Sequence, residues 1–464
     1  MEHVLAEAMR LIKPSEEELR LIGEASRELI GKLNNGLRRR GFEDIEVTLQ
    51  GSVAHGTWLP GSRDIDIFII IPKNRGVEFI KSGRALQLLA EIATENGIPW
   101  STRYAQHPYL TLKYRGFQVD VVPCMKISPG EKPLTATDRS PLHTLYLMDK
   151  LRGKENEVRL LKAFMRVGGI YGAEIGVGGF SGYLTELLIV NYGSFLGALE
   201  SAKSWRPHQT VLDPGKHYAS PSVARKIFNS PLIVIDPVDA SRNAAAAVTE
   251  EAMSTFIAMA HLFTLSPSLE FFREGEPSPA FSPLLLLAMP YPANEPPDTV
   301  WGQLRRASSS LSNVLSNMGF TVYRSGEWTD EETIAAVFIA LESLELPPLN
   351  LMRGPLVYAP ESIEFLRKHV NASMGPFIVG TRWFAVEKRR IMDVAEAVRM
   401  ELPRMPASLR SASIIKIRSE AELSSLPKNL EKAIRRFLSK PPWLSTLPPS
   451  IMPRRLGNKE IIEN

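Results

Sequence analysis

The sequence predicts a multidomain α+β protein, and three observations predict it. The chain has 464 residues, enough for about three or four domains at roughly 100–200 residues each. Over residues 1–140, short β-branched or aromatic runs alternate with amphipathic helical stretches. A mainly helical passage follows, then a proline-rich boundary at Pro267–Pro297, then a second alternation of helix and strand.

The elements follow in order. Two helices are expected in residues 1–40, interrupted at Pro14-Ser15. Ser15 with Glu18 makes a capping box, and Leu19, Ile22, Leu29, Ile30, Leu33 and Leu37 recur at helical spacing. Strands are expected at Ile45–Gln50, Ile65–Ile71, Tyr109–Tyr114 and Phe117–Val122, with a helix around Ser82–Asn96. Residues 1–140 therefore read as one α/β domain. Residues 141–265 read as mainly helical, with helices from Gly153 to about Gly168 and over Phe180–Ala198, and a strand at Leu232–Ile235. In 266–400 the run LLLLAMPY reads as a strand. Helix Trp301–Met318, strand Thr321–Ser325, helix Pro360–Val370, strand Trp383–Glu387 and helix Met392–Met400 follow. That order suits a small ferredoxin- or RRM-like sandwich, with Trp301, Trp328 and Trp383 as core anchors. A tail at 401–464 closes the chain.

Composition narrows the function classes. Hydrophobic residues make up 44% and charged residues 23%, as in ordinary globular domains. No apolar run approaches the roughly 20 residues of a membrane span. The start, MEHVLAEAMRLIKPSEEEL, reads as an acidic amphipathic helix and not as a signal peptide. Cys124 is the only cysteine; this excludes an intramolecular disulfide and points to a reducing cytoplasm. Net charge is +4, yet from Pro406 onward eleven Lys/Arg face five Asp/Glu, leaving the rest slightly acidic. Such a segment suits a polyanionic partner or is a solvated helical tail.

The chemistry concentrates in LQGSVAHGTWLPGSRDIDIFIIIP. Asp64 and Asp66 open a predicted strand, where residues two apart share a face. Two adjacent carboxylates repel unless a cation holds them, and an all-oxygen site suits Mg²⁺. Asp120, in GFQVDVVP, supplies a third carboxylate from a later strand, as a two-metal phosphoryl-transfer site requires. Gly51-Ser52 follows a predicted strand. Glycine permits a tight turn and close approach to a ligand, amides at a helix start favour phosphate, and the Ser52 hydroxyl can donate to it. His55 lies close by. On the 154–168 helix, Arg159, Lys162 and Arg166 share a face away from the apolar stripe. They read either as a basic stripe for a triphosphate or as a solvated face with Glu155–Arg159 pairing.

At this point a family resemblance emerges. GSVAHGTWLPGSRDIDIF, QVDVVPC, DRSPLH, GKENEVRLLKAF, GIYGAE, GFSGYLTELLIV, IDPVDASRN and GPFIVGTRWFAVE resemble the archaeal (class I) CCA-adding tRNA nucleotidyltransferases of the polymerase-β superfamily, in that family's order. The likeness spans about residues 40–390 and is strongest from Gly51 to Asn243. It implies a polymerase-β-like catalytic head (1–140) with a mixed sheet, a helical nucleotide-recognition neck (141–265), an α+β RNA-binding body (266–400) and a basic helical tail (401–464). It implies Mg²⁺, CTP and ATP as substrates, the tRNA 3′ end as partner, and a homodimer. Asp64, Asp66 and Asp120 match the family's metal-binding carboxylates, and Ser52 and His55 match two triphosphate-side positions. The family often has Glu where this chain has Asp64, and Arg or Lys where it has His55. His143, Lys162 and Tyr171 match nucleotide-contacting residues, and Arg242 matches the arginine that reads the incoming base. The nearest alternative is another nucleotidyltransferase, such as a poly(A) polymerase.

Overall fold

The computed structural model describes residues 1–61, 64–75, 77–104, 108–273, 275 and 281–446. They divide into two compact units: Met1–Gly275 with the segment from Pro442 onward, and Glu276–Pro441.

The first unit begins with helices α1 (Glu2–Ile12) and α2 (Glu16–Arg38). The expected capping box starts α2: the Ser15 hydroxyl accepts from the Glu18 N–H at 3.1 Å, and the Glu18 carboxylate accepts from the Ser15 N–H at 2.9 Å. Next come β1 (Glu46–Gln50), α3 (Gly51–His55), β2 (Asp64–Ile71), α4 (Glu78–Lys81), α5 (Arg84–Glu95), β3 (Trp100–Tyr104), β4 (Pro108–Tyr114) and β5 (Phe117–Met125). They form a mixed sheet ordered β1-β2-β5-β4-β3, with β2 and β5 parallel and the other pairs antiparallel. Period-two alternation divides β2. Ile65, Ile67, Ile69 and Ile71 join the core under α2 and α5, while Phe68 and Ile70 join Val122 and Cys124 on the other side.

The chain continues through α6 (Ser140–Lys150), α7 (Glu155–Val167), α8 (Gly182–Tyr192), α9 (Phe195–Ala202), β6 (Val211–Leu212), α10 (Pro221–Ile227), β7 (Ile233–Asp236), β8 (Asp239–Asn243) and α11 (Glu250–Leu265). The core here is aromatic. Phe164 lies within 6.3 Å of Phe195, Phe256, Phe263, Phe271 and Phe272, centroid to centroid. Ala8 and Ile12 of α1 join it, and so does Trp443 from the far end of the sequence, stacked on Phe271 at 6.2 Å. The single helix expected over Phe180–Ala198 is two. Gly193, at φ 82°, ends α8, and Ser194 caps α9 by accepting from the Gly197 N–H at 3.0 Å. The expected strand at Leu232–Ile235 gains an antiparallel partner, β8, that sequence reasoning missed.

In the second unit, β9 (Leu284–Pro290), α12 (Pro297–Met318), β10 (Val322–Thr329) and β11 (Ile334–Leu341) precede β12 (Leu349–Leu356), α13 (Ser362–His369), β13 (Met374–Val379) and β14 (Arg382–Lys388). Then come α14 (Val394–Glu401), β15 (Ser413–Ile417), α15 (Glu420–Ser424) and α16 (Lys428–Leu438). The main sheet is ordered β10-β11-β9-β15, and a smaller one β12-β14-β13. Helices α12 and α14 cover one face of the main sheet; Leu430 and Ile434 of α16 pack on the other. This unit contains more strand than its pattern signalled. The tail expected from 401 adds β15 to the sheet edge before its helices, and its residues 447–464 lie outside the described residues. Among the described residues no helix is long and apolar enough to cross a membrane.

Candidate active site

Asp64 and Asp66 open β2 on one face, as their spacing requires, and the parallel register sets Asp66 directly beside Asp120 of β5. Burial, followed by the charges of Asp120 and Asp64, pushes the Asp66 carboxyl up to about 6. Burial also raises Asp120, against a 2.7 Å hydrogen bond donated by the Thr111 hydroxyl. Carboxylates that disfavour their own ionisation, in an all-oxygen set, fit a hard dication such as Mg²⁺. Among the described residues no three donors already stand gathered as ligands, and Thr111 holds one oxygen of Asp120. The strands thus fix where the carboxylates sit, while their side chains are not closed into a triad.

Gly51 brings the second motif against the first. Gln50 of β1 pairs with Asp66, and the chain turns there with Gly51 at φ +67°. A Cβ at Gly51 would stand 2.5 Å from Asp66 Oδ2. Only glycine meets both conditions, and the turn delivers Ser52 into α3 beside the carboxylates.

His55 and Lys162 meet on a residue that sequence reasoning missed. Glu186 of α8 accepts from the Thr57 hydroxyl, lies 2.9 Å from His55 Nδ1 and lies 3.4 Å from Lys162 Nζ. Lys162, 2% exposed, also donates to Thr57 Oγ1 at 3.1 Å. Burial would raise the Glu186 carboxyl, but Lys162, His55 and Thr57 hold it below the usual range. Arg159 is buried too. It donates to the carbonyls of Trp58, at 3.1 Å, and Gly56, and so fastens the loop behind α3. Of the three basic residues on α7, only Arg166 is exposed. The solvated-face alternative therefore fails for Arg159 and Lys162, because the loop and Glu186 supply buried partners. Tyr171 comes to Lys162 at the start of α8, where a Cβ on Gly182 would lie 3.2 Å from the Tyr171 hydroxyl and 3.9 Å from Lys162 Nζ.

His143 and Arg242 form a second group. Asp138, buried, accepts from the N–H groups of Met125, Leu134 and Thr135 at 2.7–2.8 Å and hands the chain from β5 to α6, which carries His143. His143 Nε2 lies 2.9 Å from Asp236 Oδ2, and Arg242 Nη1 donates to the same oxygen at 2.6 Å. The next residue after Gly182, Tyr183, stacks on His143 with centroids 4.0 Å apart. Glu186, Asp236 and Tyr183 all escaped sequence reasoning. A signal for the two acids existed: each is a lone carboxylate in an apolar stretch, LTELLIV and LIVID, and such a group when buried demands a cationic or hydrogen-bonding partner.

A strand, a glycine–serine turn, paired aspartates on the next strand and a third on its parallel neighbour define the polymerase-β-like nucleotidyltransferases. Family profiles agree: "Nucleotidyltransferase domain" matches residues 30–143, "tRNA nucleotidyltransferase, second domain" 156–273, and "CCA-adding enzyme, C-terminal domain" 288–436. The CCA-adding enzyme of Pyrobaculum islandicum is 43% identical over 412 residues, 88% of this chain and 96% of that protein. That of Sulfolobus acidocaldarius is 32% identical over 443 residues, 94% and 98% of the two. The chain belongs to the archaeal CCA-adding enzymes, which are tRNA nucleotidyltransferases. Among solved structures, the Cid1 poly(U) polymerase superposes with a TM-score of 0.44 at 17% identity, over 58% of this chain and 97% of that one, a likeness too distant to bear on the reaction.

Proposed function

We propose that the chain performs its family's reaction, adding C, C and A to the 3′ end of tRNA from CTP and ATP without a template. The observation that carries the reading is the Asp66–Asp120 register with Gly51 closed over Asp66. Asp64, Asp66 and Asp120 would hold Mg²⁺. When bound, the ion neutralises triphosphate charge and makes the 3′-hydroxyl more acidic. Ser52, Lys162 and Tyr171 bind the triphosphate, with His55 acting through Glu186, and His143 and Arg242 bind the nucleoside. The 3′-hydroxyl oxygen forms the new bond to the α-phosphorus, the bridging oxygen leaves with pyrophosphate, and Asp120 takes the proton. Positioning and charge stabilisation supply most of the rate. Residues 1–140 serve as catalytic head and 141–265 as nucleotide-recognition neck. The body (266–400) and basic tail (401–464) grip tRNA through phosphates and A-form shape, in a cytoplasmic homodimer.

The test is incorporation of labelled CTP and ATP into tRNA transcripts ending before CCA, after the first C and after CC, with and without Mg²⁺. CTP should extend the first two, ATP alone the third, and addition should then stop. Repeated addition of ATP to any RNA end would move the assignment to a poly(A)-type polymerase.

A further inference from the structure

Asp236 is fully buried at the end of an otherwise apolar strand. Both of its oxygens are filled by donors from separate elements. Oδ2 faces His143 Nε2 of α6 at 2.9 Å and Arg242 Nη1 of β8 at 2.6 Å. Oδ1 accepts from the Tyr183 hydroxyl of α8 at 3.0 Å and the Val238 N–H at 3.0 Å. Tyr183 in turn lies face to face with His143 and 5.7 Å beneath the Arg242 guanidinium. Arg242 is thus anchored at one nitrogen and packed on one face, while its side chain remains 35% exposed. The rest of its donor fork is available in a plane that it did not choose.

We propose that Asp236 is the positioning residue for base selection, acting through Arg242. This inference rests on the nucleotide-binding role proposed above for Arg242. A guanidinium only donates. Cytosine and adenine each offer an unprotonated ring nitrogen on the pairing edge, whereas uracil and guanine carry an N–H there. A fork held rigidly against that edge accepts the first pair and leaves two donors opposed with the second. A loose guanidinium swings aside and discriminates less. The carboxylate, accepting from four donors, supplies the rigidity, and its charge matters as well as its shape: an amide in its place has one acceptor oxygen, so its NH2 opposes either Arg242 and His143 or the Val238 N–H. Tyr183 contributes by orienting Asp236 and flooring Arg242.

The experiment measures kcat and KM for CTP and UTP on tRNA ending after the first C, and for ATP and GTP on tRNA ending after CC. It compares wild type, Asp236→Asn, Arg242→Ala, the double variant and Tyr183→Phe, with melting curves for each. Asp236→Asn should lower the CTP/UTP and ATP/GTP selectivity ratios about tenfold, the scale of one mis-set donor–acceptor contact. In the Arg242→Ala background the same change should add little, because its effect passes through Arg242. Additive losses, or unchanged ratios in a folded Asp236→Asn, would overturn the proposal and leave Asp236 a structural group. If Asp236→Asn does not fold, Tyr183→Phe decides. It keeps the ring stack, so intact selectivity refutes the proposal and lowered selectivity at unchanged Tm supports it. Wild-type enzyme on the same transcripts separates the two readings: if addition does not stop after CCA, the CCA-adding reading itself fails, whatever the variants do.

Discussion

At the scale of single residues, the site concentrates charge in places that charge disfavours. Asp66 has a folded-state pKa near 6 against an ordinary 3.8. A carboxyl raised in this way favours folding below its unfolded pKa and loses that contribution as pH rises through its folded pKa. In metal-free protein, Asp66→Asn should therefore raise stability at about pH 8 by at most roughly 3 kcal/mol. The gain should shrink as pH falls toward 4, and activity should be lost throughout. Urea unfolding in chelator across that range checks the sign. Glu186 is the opposite case, a buried acid satisfied by cations. Glu186→Gln strands Lys162 in the interior and should cost about 3 kcal/mol; adding Lys162→Met should recover much of that stability without recovering activity. The aspartates and Ser52 were legible in the sequence because period two and a glycine turn act over a few residues. For Glu186 and Asp236 the sequence signals only that a buried acid needs a partner; which partner was not legible, because their histidines lie 131 and 93 residues away in the chain, beyond any local spacing rule.

At the scale of elements, α8 organises the side of the site proposed to bind the nucleotide. Ser181 caps it by accepting from the Leu184 N–H at 3.1 Å; behind that cap Gly182 lies against Tyr171, Tyr183 against His143 and Arg242, and Glu186 against His55 and Lys162. Gly182→Ala improves helix propensity but places a methyl group 3.2 Å from the Tyr171 hydroxyl. Tm should hold or rise slightly, while KM for CTP and ATP rises severalfold; a fall in Tm with unchanged KM would mean that the glycine serves only packing. Element type was readable where periodicity was clean, as in α2, α5, α7 and β2. Of two runs that are apolar throughout, LLLLAMPY reads correctly as the strand β9, and the other is missed. IAAVFIAL, which forms β11, is buried on both faces of the sheet, so neither a period of two nor one of 3.6 marks it. The break between α8 and α9 hid in a lone Gly193-Ser194, which reads equally well as a helix interior with poor propensity.

At the scale of the whole molecule, the first unit is discontinuous in sequence, and the second is inserted before Pro442. Trp443, 6% exposed against Phe271, belongs to the aromatic core of the first unit. Trp443→Ala should destabilise that unit by about 3 kcal/mol and leave the second untouched. Calorimetry should then show one transition moving down while the other stays. An equal shift of both would mean that the units unfold as one cooperative block.

The position of Trp443 also sets an order of events at the ribosome. The five-stranded sheet, the helices from α6 to α11 and the phenylalanine cluster are all translated before residue 276, yet Trp443, which packs into that aromatic core, is made only after residues 276–441 have been polymerised. The unit that carries the proposed catalytic residues therefore lacks this contact until residues 276–441 have been made. A chain interrupted anywhere within that insert would contain every proposed catalytic residue and still lack the tryptophan that completes their support.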